Sequence, residues 1–255
     1  MSRTSGIWAF AVALGAPLAV TACLGTTEVG SCGAAVPVHS YTLGDTASDT
    51  LTALTCRQMY QFTTDSQANV RVHISSPALQ TFLQVYDSRG AIVVNSALTN
   101  TLDTGTTVRM ILGSGTYGLA VNPVTLGQSG RFSLTTATDS SPVAGCATVW
   151  VTTGITTAQT LTTGDCTQGP AGASYYAHSY ALVLLQTEEV TITEAATAFP
   201  PGLLLSGQGN TEASTVDSAG TTATISTVVI TQGAYTIWAG SMSSGQTGRY
   251  TLQIQ

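Results

Sequence analysis

The sequence contains no lysine and few charged residues of any kind. Charged side chains make up 8% of the 255 residues, against about 25% in an average soluble domain. Seven arginines stand against 13 acidic residues, so the net charge is -6 and the pI is ≈ 4.7. A nucleic-acid binder needs clustered cations to neutralise phosphates, and this composition argues against one. Intrinsic disorder is excluded as well, because 43% of the residues are hydrophobic.

Long apolar runs are also missing, with one exception at the N-terminus. Residues 7–20 form an apolar stretch of signal-peptide length behind the cation Arg3. No other run approaches the ~20 residues that a membrane-spanning helix requires. The stretch is followed by Val-Thr-Ala-Cys at residues 20–23, which resembles the lipobox of bacterial lipoproteins.

The lipobox resemblance implies cleavage before Cys23 and attachment of diacylglycerol to its thiol. Residues 1–22 are then the signal peptide and 23–31 a lipidated tether, and two or three acyl chains anchor a protein stably. The alternative is an ordinary signal peptide cut after Ala22, with Cys23 as an unmodified thiol. Leu24 follows rather than Asp, which by analogy with enterobacterial sorting favours the outer membrane over the plasma membrane. We therefore expect a lipid-anchored protein of the bacterial cell envelope, with the membrane as one partner.

The remainder of the chain contains an internal repeat. The segment LGQSGRFSL at 126–134 recurs as SGQTGRYTL at 244–252, and GTYGLA at 115–120 recurs as GAYTIW at 233–238. Both matches are offset by the same 118 positions. This period is far longer than that of solenoid repeats, which are about 20–50 residues. The repeat therefore predicts two tandem domains.

A polar segment containing proline and glycine separates the two copies. It predicts a first domain at 32–138, a linker at 139–145 and a second domain at 146–255.

The five cysteines fit this organisation. Cys23 would carry the lipid, and four cysteines then remain. An even number of cysteines in an exported chain suggests disulfides. Four cysteines allow three connectivities, but the repeat places one pair near the start of each copy, namely Cys32 with Cys56 and Cys146 with Cys166. Each bridge would stabilise its domain by roughly 3 kcal/mol in the chain-entropy model. A zinc site is the rival interpretation, but neither pair has C-x-x-C spacing.

Within each copy the hydrophobic pattern has a period of two. Val70, Val72 and Ile74 alternate with polar residues, and strand-like runs end in turns such as Asp-Ser-Arg-Gly at 87–90. Thr, Val and Ile are abundant, and β-branched side chains suit a pleated, half-buried surface. The pattern predicts an all-β protein made of two tandem antiparallel β-sandwiches.

Each copy resembles the bacterial pre-peptidase C-terminal domain, a jelly-roll-like β-sandwich often appended to secreted enzymes. The resemblance rests on an early aromatic strand, a middle strand ending in Asp-x-x-Gly, a Gly-x-Tyr strand and a closing Gly-x-[Tyr/Phe]-x-Leu strand. In the first copy these are residues 60–62, 85–90, 115–117 and 130–134, and in the second copy 180–182, 203–207, 233–235 and 248–252. The acidic stretch that often precedes the middle strand in this family is missing at 79–83, and the second copy lacks the turn Asp. Some relatives bind Ca²⁺ near such acidic residues, so these departures argue against a calcium site, and we expect no metal and no cofactor.

Candidates for catalytic chemistry are few. His73 lies in a strand pattern and is expected on the outer face, while His39 and His178 are expected to be solvated or to act as caps. No H-E-x-x-H or G-x-S-x-G motif is present. Glu188 and Glu189 are adjacent, so they would point to opposite faces of a strand and not form a carboxylate pair.

Other features of the two copies are interpreted as structural. Arg131 and Arg249 occupy matched positions, where hydrogen bonds to neighbouring carbonyls are expected. The glycine-rich segments 113–115 and 127–130 precede strands and are predicted to be turns, not phosphate-binding loops. No catalytic residue is predicted.

Trp238 is the one candidate for ligand binding. If Tyr235 and Ile237 face the core, Trp238 falls on the opposite face, where the first copy has Ala120. An exposed Trp on a sheet offers a flat apolar surface for a sugar ring. The alternative is that Trp238 packs against the other domain or a loop. Trp150, by contrast, is expected in the core.

The sequence therefore predicts a non-catalytic binding or structural module that contacts a polysaccharide, a matrix component or an envelope protein. One alternative is an envelope hydrolase with a site between the two domains. Another is an accessory subunit that assembles through exposed sheet edges.

Overall fold

The computed structural model describes residues 36–99, 105–139, 145–168, 175–207, 210–216 and 220–255. These residues form nineteen strands and one short 3-10 helix, Ser96–Thr99. The strands of the first half are β1 (Val38–Ser40), β2 (Thr46–Leu51), β3 (Gln58–Thr64), β4 (Ala68–Ser75), β5 (Thr81–Tyr86), β6 (Ile92–Asn95), β7 (Gly105–Leu112), β8 (Gly115–Pro123) and β9 (Gly130–Thr138). Those of the second half are β10 (Val149–Val151), β11 (Ile155–Leu161), β12 (Cys166–Gln168), β13 (Tyr175–Leu184), β14 (Glu188–Ala196), β15 (Pro201–Gly207), β16 (Asn210–Val216), β17 (Thr222–Ile230), β18 (Gly233–Ser241) and β19 (Gly248–Ile254). The predicted all-β class is confirmed.

Alternating burial explains why these segments form strands. In β4, Val70, Val72 and Ile74 are buried, while Arg71 and His73 are exposed on the other face. Successive side chains of a strand point to opposite faces, so this sequence buries one apolar face against the core. The turn predicted at 87–90 is also present, since Gly90 N donates to Asp87 O at 2.9 Å.

The two halves repeat the same sheet topology. In the first unit (β1–β9) the order β1-β3-β8-β5-β6 forms one sheet, and β7-β4-β9-β2 forms the facing layer. In the second unit (β10–β19) the corresponding orders are β10-β13-β18-β15-β16 and β17-β14-β19-β11, with β12 added beside β13. Each pair of layers encloses its own cluster of buried apolar side chains. Each unit is therefore a sandwich.

The sequence pattern predicted antiparallel sandwiches, but the sheets also contain parallel pairs. β1 pairs with β3, β10 with β13, and β10 with β7 in parallel. The first two pairings arise because the chain crosses to the opposite sheet between the paired strands, through β2 or β11. The strand that returns then runs in the same direction as the one that left.

The third parallel pairing joins the two units through one continuous sheet. β10 lies between β13 of its own unit and β7 of the first, so the order runs without interruption from β16 to β2. Trp150 of β10 is 3% exposed and belongs to the apolar core of the first unit, while Ile111 of β7 belongs to the core of the second. The expectation that Trp150 is buried is correct, but the core that it fills is the other unit's.

The closing-strand motif begins with a glycine for a steric reason in both units. A Cβ on Gly130 would lie 2.8 Å from Leu79 Cγ, and one on Gly248 would lie 2.4 Å from Ala198 Cβ. Gly248 also has φ +148°, which L side chains rarely adopt. The repeated glycine therefore lets the closing strand pass close under a loop.

Cys146 and Cys166 form a disulfide, as predicted. Cys56 is also disulfide-bonded. Its predicted partner Cys32 lies outside the described residues, as do the signal peptide, Cys23 and most of the predicted linker. Within the described ranges, no helix is long and apolar enough to cross a membrane.

Candidate functional site

Trp238 lies on the outer face of the second unit's five-stranded layer. Tyr235 and Ile237, its neighbours in β18, are 5% and 0% exposed and face the core, whereas Trp238 is half-buried on the other side. Across the sheet Trp238 pairs with Ser179 of β13 and Leu204 of β15. Leu204 is half-buried as well, so the two side chains form a small apolar patch on an otherwise polar row.

The first unit covers only part of this outer face. Trp150, Ala181 and Val183 pack against the first unit's core. β18 and β15, which carry Trp238 and Leu204, lie farther along the sheet, beyond β13. The patch therefore starts where the contact between the units ends.

The matched position in the first unit is closed. Ala120 is 0% exposed because Met59 and Tyr86 cover it, with Val36 and Ile92 packed against them. The outer face that carries Trp238 in one unit is thus an apolar cluster in the other. Any ligand site at this position belongs to the second unit alone.

A polar network that sequence reasoning missed fills part of the second unit's interior. His178 is 0% exposed, and its Nδ1 lies 2.6 Å from the hydroxyl of Tyr250, which lies 2.6 Å from that of Tyr180. The imidazole Nε2 lies 3.1 Å from Asp165 Oδ2, but off the axis of a hydrogen bond. His178 is therefore an interior residue of β13, not a solvated or capping one.

The protonation of His178 follows from this environment. Burial lowers the pKa of His178, and the nearby Asp165 carboxylate only partly opposes that effect. In a neutral imidazole, Nδ1 accepts a hydrogen bond from the Tyr250 hydroxyl. The ring proton is then on Nε2, on the side of Asp165. Asp165 is held in turn by the backbone N–H groups of Gly145 and Thr162, at 2.8 and 2.6 Å. The arrangement resembles a catalytic relay in its residue types, but it lies inside the protein.

Glu194 is a second buried titratable group in the same unit. It is 0% exposed, and its Oε2 accepts the backbone N–H of Gly240 at 3.1 Å. Its Oε1 forms no hydrogen bond of normal geometry within the described part of the chain, although the backbone of Gly202, like that of Gly240, partly opposes the rise of its pKa. Burial raises the pKa of Glu194 to about 9, so the carboxyl is protonated at neutral pH.

The other candidate residues do not converge on one site. His73 is exposed as predicted, with Nδ1 2.9 Å from Thr107 Oγ1. His39 on β1 has its Nε2 4.0 Å from Oδ2 of Asp49 on β2. Glu188 and Glu189 begin β14. In the described ranges, no group of three or more His, Cys, Asp or Glu side chains is placed to hold a metal ion.

Within the described ranges, the two matched arginines do not have the expected structural contacts. Arg131 and Arg249 both lie exposed on the outer faces of their closing strands. Neither guanidinium forms a hydrogen bond or an ion pair with any residue of the described ranges. The sequence could not reveal this, because the matched spacing fixes the face of the strand but not the partner.

Comparisons with known proteins give a resemblance only to solved structures. No protein-family model matches the chain, and no curated protein sequence matches it. One similar structure is the pre-peptidase C-terminal domain of a collagenase from Bacillus anthracis, with a TM-score of 0.36 and 12% identity over 40% of this chain and 95% of that domain. Another is the PBSX exported protein XepA, with a TM-score of 0.25 and 12% identity over 83% of this chain and 87% of that one. A third, an uncharacterized protein from Burkholderia cenocepacia, has a TM-score of 0.22 and 8% identity over 79% of this chain and 76% of that one.

Proposed function

We propose that this chain is a non-catalytic binding module of the bacterial cell envelope, anchored by lipid at Cys23, and that it contacts a polysaccharide through Trp238. The observation that carries the proposal is the position of Trp238 on the outer face of β18, next to Leu204 and beyond the area that the first unit covers. An indole ring presents a large apolar surface, and the ring of a sugar has an apolar face that can stack on it. Thr236, two residues before Trp238 on the same face, adds a hydroxyl for hydrogen bonding.

The proposal assigns a structural role, not a catalytic one, to the acid–base groups of the second unit. A general base must come within hydrogen-bond reach of its substrate. His178 is fully enclosed, and its ring nitrogens face Tyr250 and Asp165. This argues for binding over hydrolysis, the alternative function that the sequence left open.

Retention on immobilised polysaccharides tests the role of Trp238. We expect the full chain to be retained on at least one neutral polysaccharide or on whole cell envelopes, and Trp238→Ala to lose at least about tenfold in affinity, the loss that a stacking contact of ~1–2 kcal/mol predicts. Trp238→Tyr should recover part of it, since an aromatic ring remains. Leu54→Ala is the matched control, because Leu54 is an apolar side chain with 77% exposure on the first unit.

Two outcomes would count against this proposal in different ways. Equal retention of Trp238→Ala and wild type would remove Trp238 from the site. No retention on any polysaccharide or envelope preparation would contradict the binding function itself.

The lipid anchor is tested separately. We expect the wild-type chain to incorporate a fatty-acid analogue and to sediment with membranes, and Cys23→Ser to do neither, because the thiol is the site of acylation. Ser31→Ala, a change in the predicted tether, should leave labelling intact. Labelling that persists in Cys23→Ser would contradict the lipoprotein assignment.

A further inference from the structure

The outer face of the second unit's four-stranded layer is built from small and hydroxylated side chains. Ala158 of β11, Thr251 of β19 and Ala195 of β14 are paired in one row across three strands. The adjacent row pairs Thr160 with Arg249. At the usual spacing of about 4.8 Å between strands, three strands give a floor about 10 Å wide. In these two rows Arg249 is the one long side chain.

The first unit provides one wall over this floor. The side-chain amide of Gln67 bridges to the backbone of Thr156 at the edge strand β11: Nε2 donates to Thr156 O at 2.8 Å, and Thr156 N donates to Oε1 at 3.2 Å. These two hydrogen bonds hold the β3–β4 turn of the first unit against the second. Asn69, two residues further, lines the resulting groove, with Thr197 and Thr221 on the other side. The groove has a volume of about 620 Å³.

Among the described residues that line the groove, one positive charge has no acidic partner. Arg249 is the one basic side chain among the residues that line it, and none of them is acidic. Two other arginines do have acidic neighbours, Arg89 in Asp87 at 2.7 Å and Arg109 in Asp139 at 3.9 Å. An exposed guanidinium with no carboxylate among the described residues around it can pair with an anion from outside.

The first unit has the same arginine but not the groove. Arg131 pairs with Thr50, as Arg249 pairs with Thr160, and the adjacent row holds Ser48, Ser133 and Ser75. Arg131 is not among the residues that line the groove of Arg249. The repeat thus supplies an internal control, an exposed arginine at the matched strand position outside this groove.

The lining fits a saccharide better than an acidic peptide. An extended peptide gains affinity by pairing with an unpaired sheet edge, but the floor of the groove is a sheet face whose backbone groups are already paired in β11-β19-β14. Alanine methyl groups can meet the apolar face of a sugar ring. Threonine hydroxyls and the Asn69 amide can both donate to and accept from sugar hydroxyls.

We infer that the groove between Gln67 and Asn69 at the start of β4 and the outer face of β11, β19 and β14 binds an acidic oligosaccharide, with Arg249 pairing to the carboxylate of a uronic acid residue. The inference rests on the proposed function in taking the partner to be a polysaccharide, but it uses the opposite face of the second unit from Trp238. Trp238 and Arg249 are then two separate binding sites.

Calorimetric titration of the full chain with oligogalacturonate tests the groove. We expect binding that weakens as salt rises, and a loss of at least about tenfold in affinity for Arg249→Ala and Arg249→Gln, because each removes a charge-assisted hydrogen-bond pair. Arg131→Ala should change the affinity by less than about twofold. The fully methyl-esterified oligosaccharide keeps the rings but has no charge, and it should bind at least about tenfold more weakly. Unchanged melting temperatures would show that the variants remain folded.

Several results would overturn the inference. These are an equal loss in Arg131→Ala and Arg249→Ala, equal binding of the methyl ester, or equal binding of polyglutamate, which would reduce the site to general attraction of anions. No binding of oligogalacturonate at low salt would overturn it as well. Trp238→Ala should not affect this titration. The inference about the groove can therefore be contradicted while retention through Trp238 is confirmed, and the converse is also possible.

Discussion

At the scale of single residues, one matched core position is filled by chemically different side chains in the two units. Ile74 of β4 pairs with Leu134 of β9, and Glu194 of β14 pairs with Leu252 of β19, so Glu194 occupies the position of Ile74. Both side chains are at most 1% exposed. A buried carboxyl with one oxygen unpaired costs stability, unless it is held in its neutral form. Glu194 therefore couples the stability of the second unit to pH.

The direction of this coupling can be worked out. In the unfolded chain Glu194 ionises near its ordinary pKa of 4.5, whereas in the folded chain its pKa is raised to about 9. Between these values the folded state holds one proton more, so stability falls as pH rises, by about 1.4 kcal/mol per pH unit. His178 acts in the opposite sense, because its pKa is lowered by burial, and its contribution is lost only as pH falls below about 6.5.

We predict that Glu194→Gln removes this loss of stability with pH. An amide can still accept from Gly240 N and is never ionised, so the variant should be more stable than wild type by roughly 3 kcal/mol at pH 7 and show a flatter profile up to pH 8.5. Urea unfolding at pH 5, 7 and 8.5 measures both chains. A wild-type stability that rises from pH 7 to 8.5, or parallel profiles for the two chains, would contradict the assignment.

At the scale of strands, the sequence pattern predicted the elements whose two faces differ in polarity. β4 shows this best, since the alternation that identifies the strand also decides which side chains are buried. The outward direction of Trp238 followed from the same rule, applied through the repeat to Tyr235 and Ile237. The interior position of His178 could have been found in this way too, because His178 lies two residues before the core residue Tyr180.

Other elements could not be predicted, because their partners are distant in sequence. β10 is only three residues long and apolar on both faces, since it lies between two cores, and such a segment has no period to detect. β12 exists because it pairs with β13 next to the disulfide of Cys166. The groove joins Asn69 and Arg249 from different units, and no local pattern links those two residues.

At the scale of the whole molecule, the junction between the units bears on whether identical copies can assemble through the matching edge of the first unit. The β7–β10 junction is heterologous, so repeated between molecules it would produce open fibres. On the first unit, however, the positions of Trp150, Ala181 and Val183 are taken by Ser40, Gln61 and Thr63, all of them exposed. A polar outer face is what terminal repeats use to stop propagation. This argues against assembly of identical copies through that edge.

The same junction predicts that the two units unfold together. Trp150 is supplied by the second unit but is buried among Met110 and other core residues of the first, and the Gln67–Thr156 contact ties the units at another point. Trp150→Ala should open a cavity in the first unit's core and weaken β7–β10 pairing, destabilising the chain by about 3–5 kcal/mol.

Calorimetry would show this as the separation of one wild-type unfolding transition into two, with the first unit melting at the lower temperature. Trp238→Ala is the matched control, because it removes the same side chain from the outer face of the second unit and should shift the transition much less. A single, unshifted transition in Trp150→Ala would mean that the units are coupled mainly by backbone pairing. In that case the continuous sheet, and not the exchange of core side chains, would make the two sandwiches one body.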